Sequence, residues 1–132
     1  MTHDAALSFV AAFAAVQQHA HQVNRDNGWW DKRDRIREIL SREGIDNAPS
    51  VVIELLGLAD SEHAEGMEAA RKHPKATWGD YKTKDTLVRE LAGAIVRDMD
   101  IAAAFGLPLA EAILEEIRAN ASRGYMHGGK AA

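Results

Sequence analysis

Carboxylates recur at regular spacing in one segment of the chain. The stretch LADSEHAEGMEAARK, residues 58–72, holds four of them, and Glu62, Glu65 and Glu68 follow one another at intervals of three. Residues i and i+3 lie on one face of an α-helix, so a helical segment projects Glu62 and Glu65 together. Two interpretations are open at this point. The acids form a solvated helix face, which tolerates a small repulsion, or they are oxygen ligands of a metal ion.

The surroundings of these acids favour the metal interpretation. Leu55, Leu58 and Ala59 precede them, so the predicted helix is apolar over most of its circumference and should be central in the fold. The next long predicted helix carries Glu90 among apolar residues. All-α folds build sites for hard divalent cations from carboxylates on facing helices, and oxygen ligands suit Mg²⁺, which keeps waters and completes its shell with substrate phosphates. The predicted metal ligands are Glu62, Glu65 and Glu90.

The elements that must position these acids are helices. Apolar residues recur at three and four along the chain, and strand signals are scarce. Helices are predicted over about 4–22, 31–42, 49–72, 85–105 and 108–122, with a loop at 73–84. Five helices with short connections indicate an all-α fold, an antiparallel bundle of four to five helices. The segments 49–72 and 85–105 should be near-antiparallel neighbours, and 132 residues indicate one domain, 1–132.

Composition excludes several classes of protein. The formal net charge of -4 argues against a general nucleic-acid binder, and without cysteine there is neither a disulfide nor thiolate chemistry. No stretch reaches the roughly 18 apolar residues of a membrane span. The N-terminus lacks the basic start of a signal peptide and has Asp4 instead. We expect a soluble, cytoplasmic protein. The chain has no P-loop, no serine or histidine nucleophile arrangement, and no histidines at metal-ligand spacing.

Four segments in order resemble one known family. The MazG-like all-α nucleotide pyrophosphohydrolases have an E-x-x-E pair on one helix and an E-x-x-D pair on a later one. The E-x-x-E spacing alone is a weak signal, whereas the ordered set of segments is much more specific and extends over most of the chain. The matching segments are NGWWD (27–31), SEHAEGMEAAR (61–71), RELAGAIVRDMD (89–100) and ILEEIRANASRGYMHGGKAA (113–132).

The resemblance implies a function and a site. It implies hydrolysis of a nucleoside triphosphate, ribo or deoxyribo, to the monophosphate and pyrophosphate, with Glu62, Glu65 and Glu90 as the catalytic residues that hold Mg²⁺, or alternatively Mn²⁺. Either Glu65 or Glu62 would orient the attacking water as general base. The family forms dimers or dimers of dimers. A homodimer or homotetramer is therefore expected, with helix packing through the apolar first helix as its interface.

One position departs from the family pattern. The pattern has an aspartate three residues after Glu90, where this chain has Gly93. A glycine inside a helix costs about 1 kcal/mol relative to alanine, and here it also removes a ligand oxygen. Close helix packing, loss of activity, and replacement of the ligand by water are three open explanations. Slow or absent turnover at ordinary magnesium concentrations is expected. Asp100 is too far along the helix to substitute for the missing carboxylate.

Aromatic and basic residues elsewhere are candidates for substrate binding. Of the adjacent pair Trp29 and Trp30, one should be buried or else stack on a nucleobase, and Trp30 is the candidate. Near the C-terminus, cations either complement a frayed helix end or neutralise phosphate oxygens on the substrate and the leaving pyrophosphate. The C-terminal candidates are Asn120, Arg123, Tyr125 and Lys130.

Two other classes of function stay open beside the enzyme. An inactive relative that still binds nucleotides is one, because Gly93 removes a ligand. A helical protein-interaction module whose acids are merely solvated is the other. Magnesium-dependent release of pyrophosphate separates the enzyme from both of them.

Overall fold

All of the regular secondary structure in the part of the chain that the structure describes is α-helix. The computed structural model describes residues 1–83 and 85–125, and no strand occurs in these ranges. The all-α prediction is confirmed. No helix within the same ranges is both long and apolar enough to cross a membrane. The helices are α1 (His3–Asp26), α2 (Asp31–Ser41), α3 (Ala48–Arg71), α4 (Trp78–Thr83), α5 (Asp85–Ala104) and α6 (Leu109–Ser122).

Local sequence signals set several helix boundaries. Thr2 caps α1, since its hydroxyl accepts a hydrogen bond of 3.1 Å from the Ala5 N–H. Pro49 stands in the first turn of α3, where its missing N–H costs nothing. Gly44 and Gly106 follow α2 and α5 with φ of 71° and 65°, a left-handed conformation that favours glycine at helix ends. The predicted helices therefore occur within a few residues of their expected positions.

One prediction about the elements was wrong. The segment 73–84 was expected to be a loop, but it contains the short helix α4. The cause is a capping box: the Thr77 hydroxyl accepts from the Asp80 N–H at 3.3 Å, and Asp80 Oδ2 accepts from the Thr77 N–H at 2.9 Å. The spacing T-x-x-D at 77–80 was the signal for this helix start.

Helices α3 and α5 form the central pair, and they run antiparallel. Leu55 and Ile101 share one core cluster near one end of the pair. Toward the other end, Gly66 faces Glu90, and a Cβ built on that glycine would lie 3.6 Å from the Glu90 Cβ. A later residue of α3 therefore contacts an earlier residue of α5, which is the antiparallel arrangement predicted for these two segments. α1 packs on α5, and α6 packs mainly on α1.

The core of the single chain is small for its length. The chain exposes 9974 Å², whereas a compact monomer of 14.4 kDa exposes about 6,800 Å². Large apolar side chains on α3 and α5 remain accessible, among them Ile53 at 72% and Ile95 at 51%. Much apolar surface is thus left without a partner inside one chain.

Candidate metal centre

The three predicted ligands meet between α3 and α5. Glu62 and Glu65 come from α3 and Glu90 from α5, and one carboxylate oxygen of each lies within 4.8 Å of the others. α3 and α5 are in close contact here, since a Cβ built on Gly66 would lie 3.6 Å from the Glu90 Cβ. The i, i+3 spacing on α3 and the antiparallel pairing of the two helices together produce the convergence.

The electrostatics of this cluster (Glu62, Glu65 and Glu90, called the acid cluster below) are unfavourable without a cation. Partial desolvation raises the pKa of Glu90, and repulsion and hydrogen bonding with the Glu65 and Glu62 carboxylates raise it further. Glu62 and Glu90 are half-buried, whereas Glu65 is exposed. A divalent cation among these oxygens would relieve the repulsion that raises the Glu90 pKa.

Arg97 is a member of this site that the sequence analysis missed. Its Nε donates a 2.7 Å hydrogen bond to Glu62 Oε1, and both side chains are partly buried. Arg97 follows Glu90 by seven residues, or two helical turns, so both lie on the same face of α5. That spacing was the available signal. The guanidinium offsets one of the negative charges of the acid cluster.

Gly93 lies in the site, opposite Glu62. A Cβ built on Gly93 would come 2.8 Å from Glu62 Oε2 and 3.0 Å from its Cδ, which is closer than a real Cβ contact permits. The glycine therefore leaves the space into which Glu62 extends toward Arg97. Close packing, one of the explanations considered for this position, here involves the Glu62 side chain rather than the helix backbone.

Two other acids of α3 do not join the cluster. Glu68, third of the evenly spaced acids, lies 3.6 Å from Arg71 and 3.8 Å from Lys72 on its own helix. Glu54 instead accepts a 2.8 Å hydrogen bond from Arg33. Both glutamates are therefore surface ion-pair partners.

A cavity of about 240 Å³ opens beside the acid cluster. Gly66, which faces Glu90, and Leu87, one turn before Glu90, both contribute to its wall. The remaining lining residues are Ala69, Ala70, His73, Tyr81 and Thr86. Small side chains on α3 leave the space, and Tyr81 of α4 closes one side of it. α4 therefore helps to shape the surroundings of the acids.

Trp30 lies far from the acid cluster. Its indole is 5% exposed, and Nε1 donates to both carboxylate oxygens of Asp100, at 3.0 and 3.1 Å. Asp100 follows Glu90 by ten residues, about 15 Å along α5. The guanidinium groups of Arg25 and Arg33 lie 5.5 and 5.6 Å from the ring centroid. The structure thus places Trp30 in the core, with its ring already in contact with two cations, and not beside the predicted metal ligands.

The C-terminal candidates are also separate from the acids within one chain. Arg123 donates to Asn120 Oδ1 at 2.7 Å and lies 3.9 Å from Glu116, all on or next to α6. Tyr125 is 92% exposed. In the described ranges, no hydrogen bond or ion pair connects these residues to the acid cluster. Lys130 lies outside the described residues.

Comparison of the chain with protein-family models, with curated proteins and with solved structures finds no match in any of the three. The function of the chain has to be inferred from its residues and their geometry.

Proposed function

We propose that this protein is a Mg²⁺-dependent nucleoside triphosphate pyrophosphohydrolase of the MazG-like kind, acting on ribo- or deoxyribonucleotides. The observation that carries the proposal is the convergence of Glu62, Glu65 and Glu90 across the α3–α5 pair, with ligand oxygens within 4.8 Å. The order of the acidic, aromatic and C-terminal segments in the sequence supports the same proposal.

The donor set fits a hard cation. Mg²⁺ takes oxygen ligands and usually keeps several waters, so a few carboxylates suffice. Three carboxylates supply the oxygens, and their mutual repulsion at Glu90 favours a cation at this place. Mn²⁺, which also prefers oxygen ligands, is the alternative. When bound, the ion would polarise the α-phosphate and lower the pKa of a water.

The protein side chains have separate roles in this scheme. Glu62 is held in place by Arg97 at 2.7 Å, which makes it a fixed ligand. Glu65 is the exposed member of the acid cluster, so water reaches it, and we assign it the orientation of the attacking water as general base. Glu90 is the third ligand, and because its pKa is raised, a proton and the cation would compete for this carboxylate.

The cavity beside the acids is the proposed place for the nucleoside. It has about 240 Å³, and its small side chains from α3 border the Glu90 side of the acid cluster. A triphosphate whose α-phosphate lies at the acids would extend its sugar into this cavity. Tyr81 on α4 offers an aromatic face beside it.

The proposed enzyme is a homodimer or homotetramer. The chain exposes 9974 Å², well above the roughly 6,800 Å² of a compact monomer of this mass. Exposed apolar residues such as Ile53 on α3 and Val16 on α1 would be covered by a second copy. The proposed phosphate contacts of Asn120, Arg123, Tyr125 and Lys130 would then be made to the site of another subunit.

Release of pyrophosphate tests the proposal. Canonical and damaged nucleoside triphosphates should be assayed with Mg²⁺ and with Mn²⁺, using the native chain and the Glu62→Gln and Glu90→Gln variants. Glu115→Gln, an exposed glutamate of α6, is the matched control. We expect slow, metal-dependent turnover, because Gly93 removes one ligand oxygen, and we expect that both cluster variants abolish it and the control retains it. Turnover that survives both cluster substitutions would refute the assignment of the site.

An inactive nucleotide binder is the second candidate, and two observations favour it. Gly93 removes one ligand oxygen, and Arg97 neutralises part of the acid cluster. A binder should show a rise in melting temperature with nucleotide and Mg²⁺ without any release of pyrophosphate. A helical interaction module would show neither response.

A further inference from the structure

A second cleft lies at the opposite end of the α3–α5 pair. It has a volume of about 390 Å³ and is lined by Arg25, Arg33 and Arg37, from α1 and α2, together with Asn47 at the start of α3. Asn47 precedes Glu62 by fifteen residues, about 22 Å along α3. This arginine cleft is therefore separate from the acid cluster.

The arginine cleft holds one fully buried polar atom without a partner among the residues that the structure describes, and one amide side chain that is free to bind a ligand. Arg33 Nε is fully buried and, among the described residues, no acceptor reaches it, although both terminal nitrogens of this side chain donate, one to the Trp29 carbonyl and one to Glu54. Asn47 is 9% exposed, and its side chain makes neither a capping hydrogen bond nor another one within the described ranges. Buried polar groups are almost always hydrogen-bonded in native proteins, so Arg33 Nε is an exception. The Asn47 amide lines the cleft, makes no hydrogen bond to the described residues and is not fully enclosed, so a ligand in the cleft can reach it.

The charge that is available in the cleft is positive. Its two carboxylates are already engaged: Asp34 accepts from Arg25 at 2.8 Å, and Asp46 accepts from the Ala48 N–H at 2.8 Å. Arg37, in contrast, has no ion pair or hydrogen bond in the described part of the chain. The N-terminus of α3 adds the positive end of a long helix dipole.

The far wall of the cleft is apolar. Val51, Ala104 and Phe105 form it, and the Trp30 ring is next to the arginines. Guanidinium groups bind planar oxyanions through paired hydrogen bonds, while an apolar wall accepts a hydrocarbon or an aromatic ring.

We propose that the arginine cleft is a binding site for a small organic anion, a carboxylate or phosphate carried on an apolar or aromatic body. Arg37 and Asn47 hold the oxyanion, Arg33 adds positive charge beside it, and Phe105 and Val51 contact the body. The site does not depend on the proposed pyrophosphohydrolase function, because it shares no residue with the acid cluster.

Fluorescence of Trp30 gives a direct measurement of binding. In the Trp29→Phe/Trp78→Phe background only Trp30 remains, and both replaced tryptophans are exposed. Titrations with phenyl phosphate, benzoate and inorganic phosphate should be run with a chelator, so that no metal bridges the anions to the acid cluster. We expect saturable changes, with the aromatic anions binding more tightly than inorganic phosphate. Absence of saturation by every one of these anions would overturn the proposal.

Variants in the same background locate the binding site. Arg37→Gln and Asn47→Ala should each weaken binding of phenyl phosphate, by about tenfold for the loss of one charge-assisted hydrogen bond. Arg35→Gln removes an equal charge from an exposed residue of the same helix that does not line the cleft, and it should bind like the background protein. Equal weakening by Arg35→Gln would mean diffuse charge attraction and would reject the site. Unchanged affinity in both cleft variants would also reject it.

Discussion

The carboxylate of Glu62 occupies the space where a side chain at position 93 would begin. A Cβ on Gly93 would lie 2.8 Å from Glu62 Oε2, while Arg97 Nε donates to the other oxygen of Glu62 at 2.7 Å. Position 93 therefore faces the acid cluster, and any substitution there has to move Glu62.

Gly93→Asp should make the protein more responsive to Mg²⁺. The new carboxylate displaces Glu62 and adds a fourth acid next to Glu65 and Glu90. Without metal the four acids repel one another, whereas with Mg²⁺ the new carboxylate supplies one more ligand oxygen. Melting temperatures measured against magnesium concentration should rise further for Gly93→Asp than for the native chain. Gly93→Asn is the control, since it has the same size but no charge. If the native chain and both variants responded equally, position 93 would have no part in metal binding.

Arg97→Gln should lower stability without metal and enlarge the effect of Mg²⁺. Loss of this partly buried pair leaves Glu62 beside the other two acids without a counter-charge, at a cost of about 1 kcal/mol. Arg89→Gln, an exposed arginine of the same helix, serves as the control. Urea denaturation without Mg²⁺ measures the loss of stability, and the same experiment with Mg²⁺ measures how much the metal stabilises each variant. A metal response in Arg97→Gln no larger than in the native chain would show that Arg97 does not compete with the cation.

Glu90→Gln should stabilise the metal-free protein at neutral pH. The pKa of Glu90 is raised in the folded state by partial desolvation and by Glu65 and Glu62. A carboxyl with a raised pKa binds more protons folded than unfolded, so its contribution to stability falls as pH rises from roughly 4.3, its unfolded pKa, through the folded value. The melting temperature of Glu90→Gln should therefore exceed that of the native chain at pH 7 and approach it in acid. Glu115→Gln should show no such pH dependence. A constant difference across the range would contradict the prediction.

Asp100→Ala should destabilise the fold strongly. Asp100 is 7% exposed. Its Oδ1 accepts a hydrogen bond from Trp30 Nε1 at 3.0 Å and lies 2.5 Å from His21 Nδ1. Removing one member of a buried polar pair costs about 3 kcal/mol or more. Asp98→Ala, an exposed neighbour on α5, should cost much less. The midpoints of urea unfolding measure the difference, and similar midpoints for the two variants would show that the buried network contributes little.

The sequence alone determined the helices and the faces of the acids. Apolar spacing of three and four, Thr2 and Pro49 at helix starts, and Gly44 and Gly106 at helix ends are local signals, each contained within a turn or two of chain. The i, i+3 spacing of Glu62 and Glu65 likewise requires only that α3 is a helix. The capping box that begins α4 was also local, although it was not recognised.

Only the tertiary structure decided which residues from different helices meet. The register between α3 and α5 places Glu90 beside Glu65, Arg97 on Glu62, and Gly93 against the same carboxylate. Leu55 and Ile101 join the same two helices in one core cluster. Burial of Trp30 depends on Asp100, seventy residues away in the chain. No sequence period encodes such contacts, since helix–helix register depends on the shapes of side chains that are distant in sequence.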